Sequence, residues 1–154
     1  MIKILLKFFI ILSCIGLILS STLHIFSLFN LVPFGPWVMN VGFGIFIVGL
    51  PTVLSASGII TKYSKKEFFK VISRVCPKWL RIVGYSCWFY IFLNIIICLL
   101  FGVEIVSRYK FGDPLTPAIL RSFSAGYMGF YAVSLMILVT TLREFYTEIV
   151  YKSY

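Results

Sequence analysis

Six polar residues that could do chemistry recur near the ends of long apolar runs. His24, the only histidine, stands late in the first run. Asn40 is early in the second, Glu104 late in the third and Arg121 early in the fourth, with Ser124 and Tyr127 about a turn deeper. If successive runs are antiparallel helices, all six gather at one end of the bundle. Ionisable groups inside apolar segments are costly, so they either pair or mark a site. Glu104 and Arg121 therefore read as an ion pair between adjacent helices, or as part of a pocket open at that end. His24 reads as a hydrogen-bonded bundle residue or a proton relay. Asn94 lies mid-way along the third run, on one helical stripe with Cys87 and Cys98. An amide at that depth needs a partner and is expected to face the bundle.

Several reaction classes lack their residues. A bis-histidine haem site needs two histidines from one protomer. A thiol–quinone oxidoreductase needs a reactive cysteine pair. Cys14, Cys76, Cys87 and Cys98 form no C-x-x-C and match no zinc spacing. Three of these cysteines fall inside apolar runs, where a thiol behaves as a small hydrophobe. No H-E-x-x-H, G-x-S-x-G or Walker motif occurs. No acidic cluster suits a pair of metal ions. The chain is thus expected to use no cofactor and no metal, and no catalytic residue is assigned.

The elements that must position these residues follow from composition. The chain has 154 residues, 60% hydrophobic and 12% charged, against about a quarter charged in soluble domains. So few charges cannot cover a water-exposed surface. About 20 apolar residues cross a bilayer as a helix. Four runs are long enough: about 4–29, 37–60, 82–106 and 117–142. The first also resembles a signal peptide, but its apolar core exceeds an h-region and lacks a small-x-small cleavage site, so a retained helix is expected. Asn30 to Pro36 is a tight turn between antiparallel neighbours. Gly42, Gly49 and Ala56 recur at seven-residue spacing on the second helix. Ala118, Ser122 and Gly126 recur every four residues on the last, as do Ala125 and Gly129. Such small-residue faces let helices approach closely in lipid. Pro51 should kink the second helix, as a packing solution or as a gate. Thr116 before Pro117 reads as N-cap and first helical residue. The tail after Leu142 reads as a helical extension. The expected fold is all-α: a single domain, residues 1–154, forming a four-helix up-down membrane bundle.

The one substantial charged run, Lys62 to Arg81, has seven basic residues and one acid. Ser64 and Glu67 fit a capping box. Phe68, Ile72, Val75 and Trp79 then share one stripe of an amphipathic helix over about 65–76. Lys66, Lys70, Arg74, Lys78 and Arg81 lie on the other side, suited to anionic lipid head groups or an acidic partner. Lysine and arginine number eleven on this side and at the two tails against three (Arg108, Lys110, Arg121) on the other. The positive-inside rule then places both termini and this loop in the cytoplasm, with the protein in the cell inner membrane. The bilayer accounts for the basic run without nucleic acid.

Pro51 to Arg81, with Cys76-Pro77-Lys78-Trp79, and Arg121 to Leu135, with Phe123-Ser124 through Met128, resemble a family of uncharacterised small bacterial membrane proteins with four spans. The resemblance implies the four-span fold and supplies no activity. A histidine often stands in the second motif of that family; Gly126 occupies the neighbourhood here. Two small-residue faces without a catalytic set suggest a non-catalytic protein that binds a membrane partner or a second copy, as an accessory subunit or a toxin-immunity-like factor would. The Pro51 kink, Asn94 and the outer polar group suggest instead an oligomeric channel or transporter. A lipid- or quinone-modifying enzyme is the third reading.

Overall fold

A computed structural model of the chain describes residues 2–32, 37–101 and 116–152. Within them every regular element is helical: α1 (Ile2–Leu28), α2 (Trp37–Tyr63), α3 (Phe68–Val75), α4 (Lys78–Phe101) and α5 (Pro117–Lys152). Segments of α1, α2, α4 and α5 are long and apolar enough to cross a membrane, which marks the chain as a multi-pass membrane protein.

Local signals set the helix ends. Asn30 takes a left-handed φ of 57°. The N–H of Leu31 donates to the Phe26 carbonyl (2.9 Å) and that of Asn30 to the Ser27 carbonyl (3.2 Å). These two bonds close α1 as a Schellman motif, with asparagine at the position that tolerates φ > 0. Thr116 caps α5 as expected: its hydroxyl accepts the Ile119 N–H, and Pro117 occupies the first helical position. α5 then runs into the tail, the extension expected beyond Leu142.

The charged segment departs from expectation in three respects. α2 continues past Ile60 to Tyr63, so Ser64 closes α2 at φ 79° rather than opening α3. Its N–H bonds the Ile60 carbonyl at 2.9 Å. Glu67 is the N-cap of α3 and its side chain makes no capping bond, so the capping box does not form. Pro77 then ends α3, because the residue before a proline is driven out of the α region. Cys76 accordingly sits at ψ 137°. The break resets the helical phase, so Trp79 turns outward while Cys76 and Leu80 take its place in the core beside Ile72. α4 begins at Lys78, earlier than the expected 82.

The bundle is organised around α5. Of its membrane-crossing segment 56% is buried within the protein, against 17% for α1, 17% for α2 and 11% for α4. All four other helices pack on it. α4 makes its extensive contact with α5 alone, and any contact between α2 and α4 is slight. Lipid supplies little hydrophobic drive between helices, so shape and hydrogen bonds must hold them. The main shape device is Tyr131 of α5. Its ring lies against Gly16 of α1, and its hydroxyl lies against Gly44 of α2 while donating to the Val41 carbonyl at 2.7 Å. Gly42 and Gly49 face Tyr127 and Phe130, so this predicted face of α2 is used inside the protomer. On α5 the row that packs is Ala125 and Gly129, the latter against Ile91 of α4. Gly126, expected in a packing row with Ser122, has nothing within 4 Å of its Cβ position. Gly126 is exposed, with no neighbouring helix against it.

Arginines secure the short helix. Arg81 donates to the Ser73 carbonyl, and Arg143 of α5 donates to that of Val75 at 3.1 Å. Cations at a helix C-terminus meet its unpaired carbonyls. Arg81 is thereby engaged with α3, whereas Lys66, Lys70, Arg74 and Lys78 are exposed. At the same end Lys62 pairs with Glu144 at 3.0 Å, and the Tyr63 hydroxyl donates to the same carboxylate.

Cys76, 3% exposed, has its thiol pushed up by burial; the Thr140 hydroxyl and the charges of Arg81 and Arg143 pull the other way. A raised thiol pKa favours the neutral folded form. Its contribution is fully present below the ordinary thiol value and is lost as pH rises through the folded one. Wild type should therefore lose thermal stability at alkaline pH more steeply than Cys76→Ala. Parallel melting curves from neutral to alkaline pH check this, and identical slopes would contradict it.

Candidate functional site

The polar group at the end of the bundle far from Ile2 is built on His24. Twenty-two residues of α1 place it about 33 Å from that helix's start at 1.5 Å per residue. A small-residue face brings it inward: Ser13, Gly16, Ser20 and Ser27 recur at spacings of three, four and seven, and all are buried with His24 against the bundle. The three serine hydroxyls donate back to α1 carbonyls (Ser13 to Phe9, Ser20 to Leu17, Ser27 to His24), which satisfies them without an outside partner.

His24 Nδ1 lies 2.9 Å from Ser124 Oγ of α5, and Nε2 lies 2.5 Å from the Tyr90 hydroxyl of α4. Ser124 Oγ also lies 2.6 Å from the Leu120 carbonyl, one turn back on its own helix. One assignment matches every donor. Tyr90 O–H donates to Nε2, Nδ1–H donates to Ser124, and Ser124 O–H donates to Leu120. His24 is then a neutral imidazole with both nitrogens used. The Tyr90 ring meets it edge-on, with centroids 5.2 Å apart. Arg121 completes the group by donating from an Nη to the Ser27 carbonyl at 2.9 Å, one turn beyond His24. Its Nε is buried with no hydrogen-bond partner among the described residues.

Of the six expected residues, His24, Arg121 and Ser124 come together. Tyr127 does not join them: it stacks on Phe123 with centroids 6.3 Å apart and lies against Gly42. Asn40 is exposed on α2. Glu104, and with it the expected Glu104–Arg121 pair, lies outside the described residues. Asn94 is half-buried on α4. Tyr90 and Ser27 were not anticipated. Both carried a signal: Tyr90 lies four residues before Asn94 on the stripe noted for α4, and Ser27 continues the serine–glycine face of α1.

Chemically this arrangement is closed. The chain of donors ends on a backbone carbonyl, which passes no proton onward. Ser124 is fully buried and spends its proton on Leu120, so it offers no accessible nucleophile. The described residues contain no group of three His, Cys, Asp or Glu placed to hold a metal ion. What the network does is join α1, α4 and α5 by hydrogen bonds at one level of the bundle. Comparison with protein-family models, with curated proteins and with solved structures returned no match. Fold and site together define a multi-pass helical membrane protein with a polar tie at one end and a basic, amphipathic helix at the other.

Proposed function

We propose that the protein is a non-catalytic subunit of the cell inner membrane that seats a transmembrane helix of a partner, or of a second copy, on α5. Both termini and α3 then face the cytoplasm, as the eleven-to-three excess of basic residues supports. The observation that carries the reading is the open place on α5 at Gly126. Gly126 and Ala118 are exposed, and nothing lies within 4 Å of a Cβ built on Gly126. An exposed glycine on a membrane-crossing helix is a place where another helix backbone can approach closely. The other small-residue faces already serve the protomer's own packing. An accessory subunit or a toxin-immunity-like factor acts in this way, by occupying a partner rather than by turning over a substrate.

Gly126→Leu is the test. The new side chain enters open space, so melting in detergent should stay close to wild type. Recovery of the partner or second copy from membranes solubilised after cross-linking should fall at least several-fold. Unchanged recovery would refute this seat.

A further inference from the structure

α3 and the residues flanking it carry cations that the bundle does not use. The apolar stripe of α3 is spent inside the protein: Phe68, Ile72 and Cys76 pack in one cluster with Leu135 and Met136 of α5. That stripe therefore does not rest on lipid. What remains outward is Lys66, Lys70, Arg74 and Lys78, all exposed. Phe69 and Trp79, next in sequence to Lys70 and Lys78, are 72% and 66% exposed. We propose that this outer surface binds the head groups of anionic glycerophospholipids, with the Phe69 and Trp79 rings set at the membrane boundary. The proposal is independent of the helix seat at Gly126, which lies toward the N-terminal end of α5.

Position brings the surface to lipid. Four residues separate α2 from α3, and two separate α3 from α4. Fully extended, these links reach at most about 18 Å and about 11 Å between helix ends. The C-terminal carbonyls of α3 are further held by Arg81 and Arg143. The membrane-crossing segments on either side end at Tyr63 and begin at Lys78. The second of them covers 20 residues, about 30 Å of helix, which matches the hydrocarbon thickness. Lys78 and Trp79 therefore stand at its edge, the level that tryptophan favours. A surface tethered there meets head groups without any other protein present.

Charge selects the kind of lipid. Among the described residues none of the four cations pairs with a carboxylate; the ion pair at this end joins Lys62 to Glu144. Lys70 and Arg74 stand four residues apart and share one face of α3. Basic residues clustered beside membrane spans attract anionic lipid. A second copy offers the wrong charge, because the chain has 14 basic residues against five acidic ones. Of those five, Glu67 lies within the basic stretch itself and Glu144 is taken by Lys62. A soluble acidic protein would match the cations but would have to displace lipid from Trp79 to reach them.

The experiment uses the full chain in phosphatidylcholine nanodiscs holding one copy each, which removes a second copy as the occupant. The discs carry a trace of phosphatidylglycerol, or of phosphatidylcholine, with the same photoactivatable group near the top of one acyl chain. Peptides spanning Phe69 to Trp79 should be labelled at least several-fold more by the phosphatidylglycerol probe. The Trp88–Phe92 segment of α4, deeper in the hydrocarbon, should be labelled equally by both. Lys66→Gln, Lys70→Gln and Arg74→Gln combined change only exposed side chains and should abolish the preference. Excess poly-glutamate peptide in the buffer should leave wild-type labelling unchanged. Equal labelling of the Phe69–Trp79 peptides by the two probes would overturn the proposal whether or not the variant folds. A preference that survives the triple change would do the same. Labelling lost to poly-glutamate would overturn the lipid assignment in favour of an acidic protein.

Discussion

Gly16→Leu is expected to cost the bundle about 3–5 kcal/mol, the range for deleting a large buried ring, because it evicts one. A Cβ on Gly16 already meets the Tyr131 ring, and nothing in that position can yield except the ring itself. Tyr131 is 2% exposed and fills the space between α1 and α2, so moving it opens a void on both sides. Overpacking alone costs about 1–3 kcal/mol, and the void adds to it. Tyr131→Ala should fall in the same range, and the double variant should cost less than the two singles combined. Tyr131→Phe keeps the ring and loses only the bond to the Val41 carbonyl, worth about 0.6–1.7 kcal/mol in a membrane interior. Unfolding midpoints in mixed detergent check all four. A Gly16→Leu protein as stable as wild type would show that the ring does not occupy this socket.

His24→Leu should cost about 1–3 kcal/mol. It removes two interhelical hydrogen bonds and leaves the Tyr90 hydroxyl without its acceptor in an apolar setting. The loss falls unevenly. α1 and α5 remain joined through Tyr131 and Gly16, but α4 has little besides α5 to hold it, so α4 should loosen first. Hydrogen exchange at α4 amides should rise more than at α1 amides in this variant. Equal rises would contradict His24 as the tie to α4. Tyr90→Phe should reproduce part of the effect, and Ser124→Ala less, since Ser124 also serves its own helix.

The four crossings were legible because an apolar run of some 20 residues has one low-cost structure in lipid. Thr116-Pro117 was equally plain, since N-cap and first helical position act within a few residues. The packing faces were legible only in part. The row of Gly42 and Gly49 packs as its spacing implies. On α5 the rows of Gly126 and Gly129 lie a fraction of a turn apart, and only the placement of α4 decides between them. The serines of α1 went unnoticed because in an apolar run they look like incidental polar residues, although they share a face with Gly16. Ser64 and Trp79 were misplaced for one reason: the end of α2 and the break at Pro77 set the phase of α3 and α4, and a shift of a few residues turns a side chain from core to surface. His24 and Arg121 stand out in the sequence because ionisable groups are rare there, and the structure brings them together with Ser124. Tyr90 was hidden among nine tyrosines, most of which suit a membrane boundary.

Everything proposed for the two ends of the bundle rests on which side of the membrane each occupies. Epitope tags at the N-terminus, at the C-terminus and in the turn after Asn30 can be probed with antibody on intact cells and again after permeabilisation. Both terminal tags should be reached only after permeabilisation, and the Asn30 tag should be reached before it. A terminal tag accessible on intact cells would contradict the account.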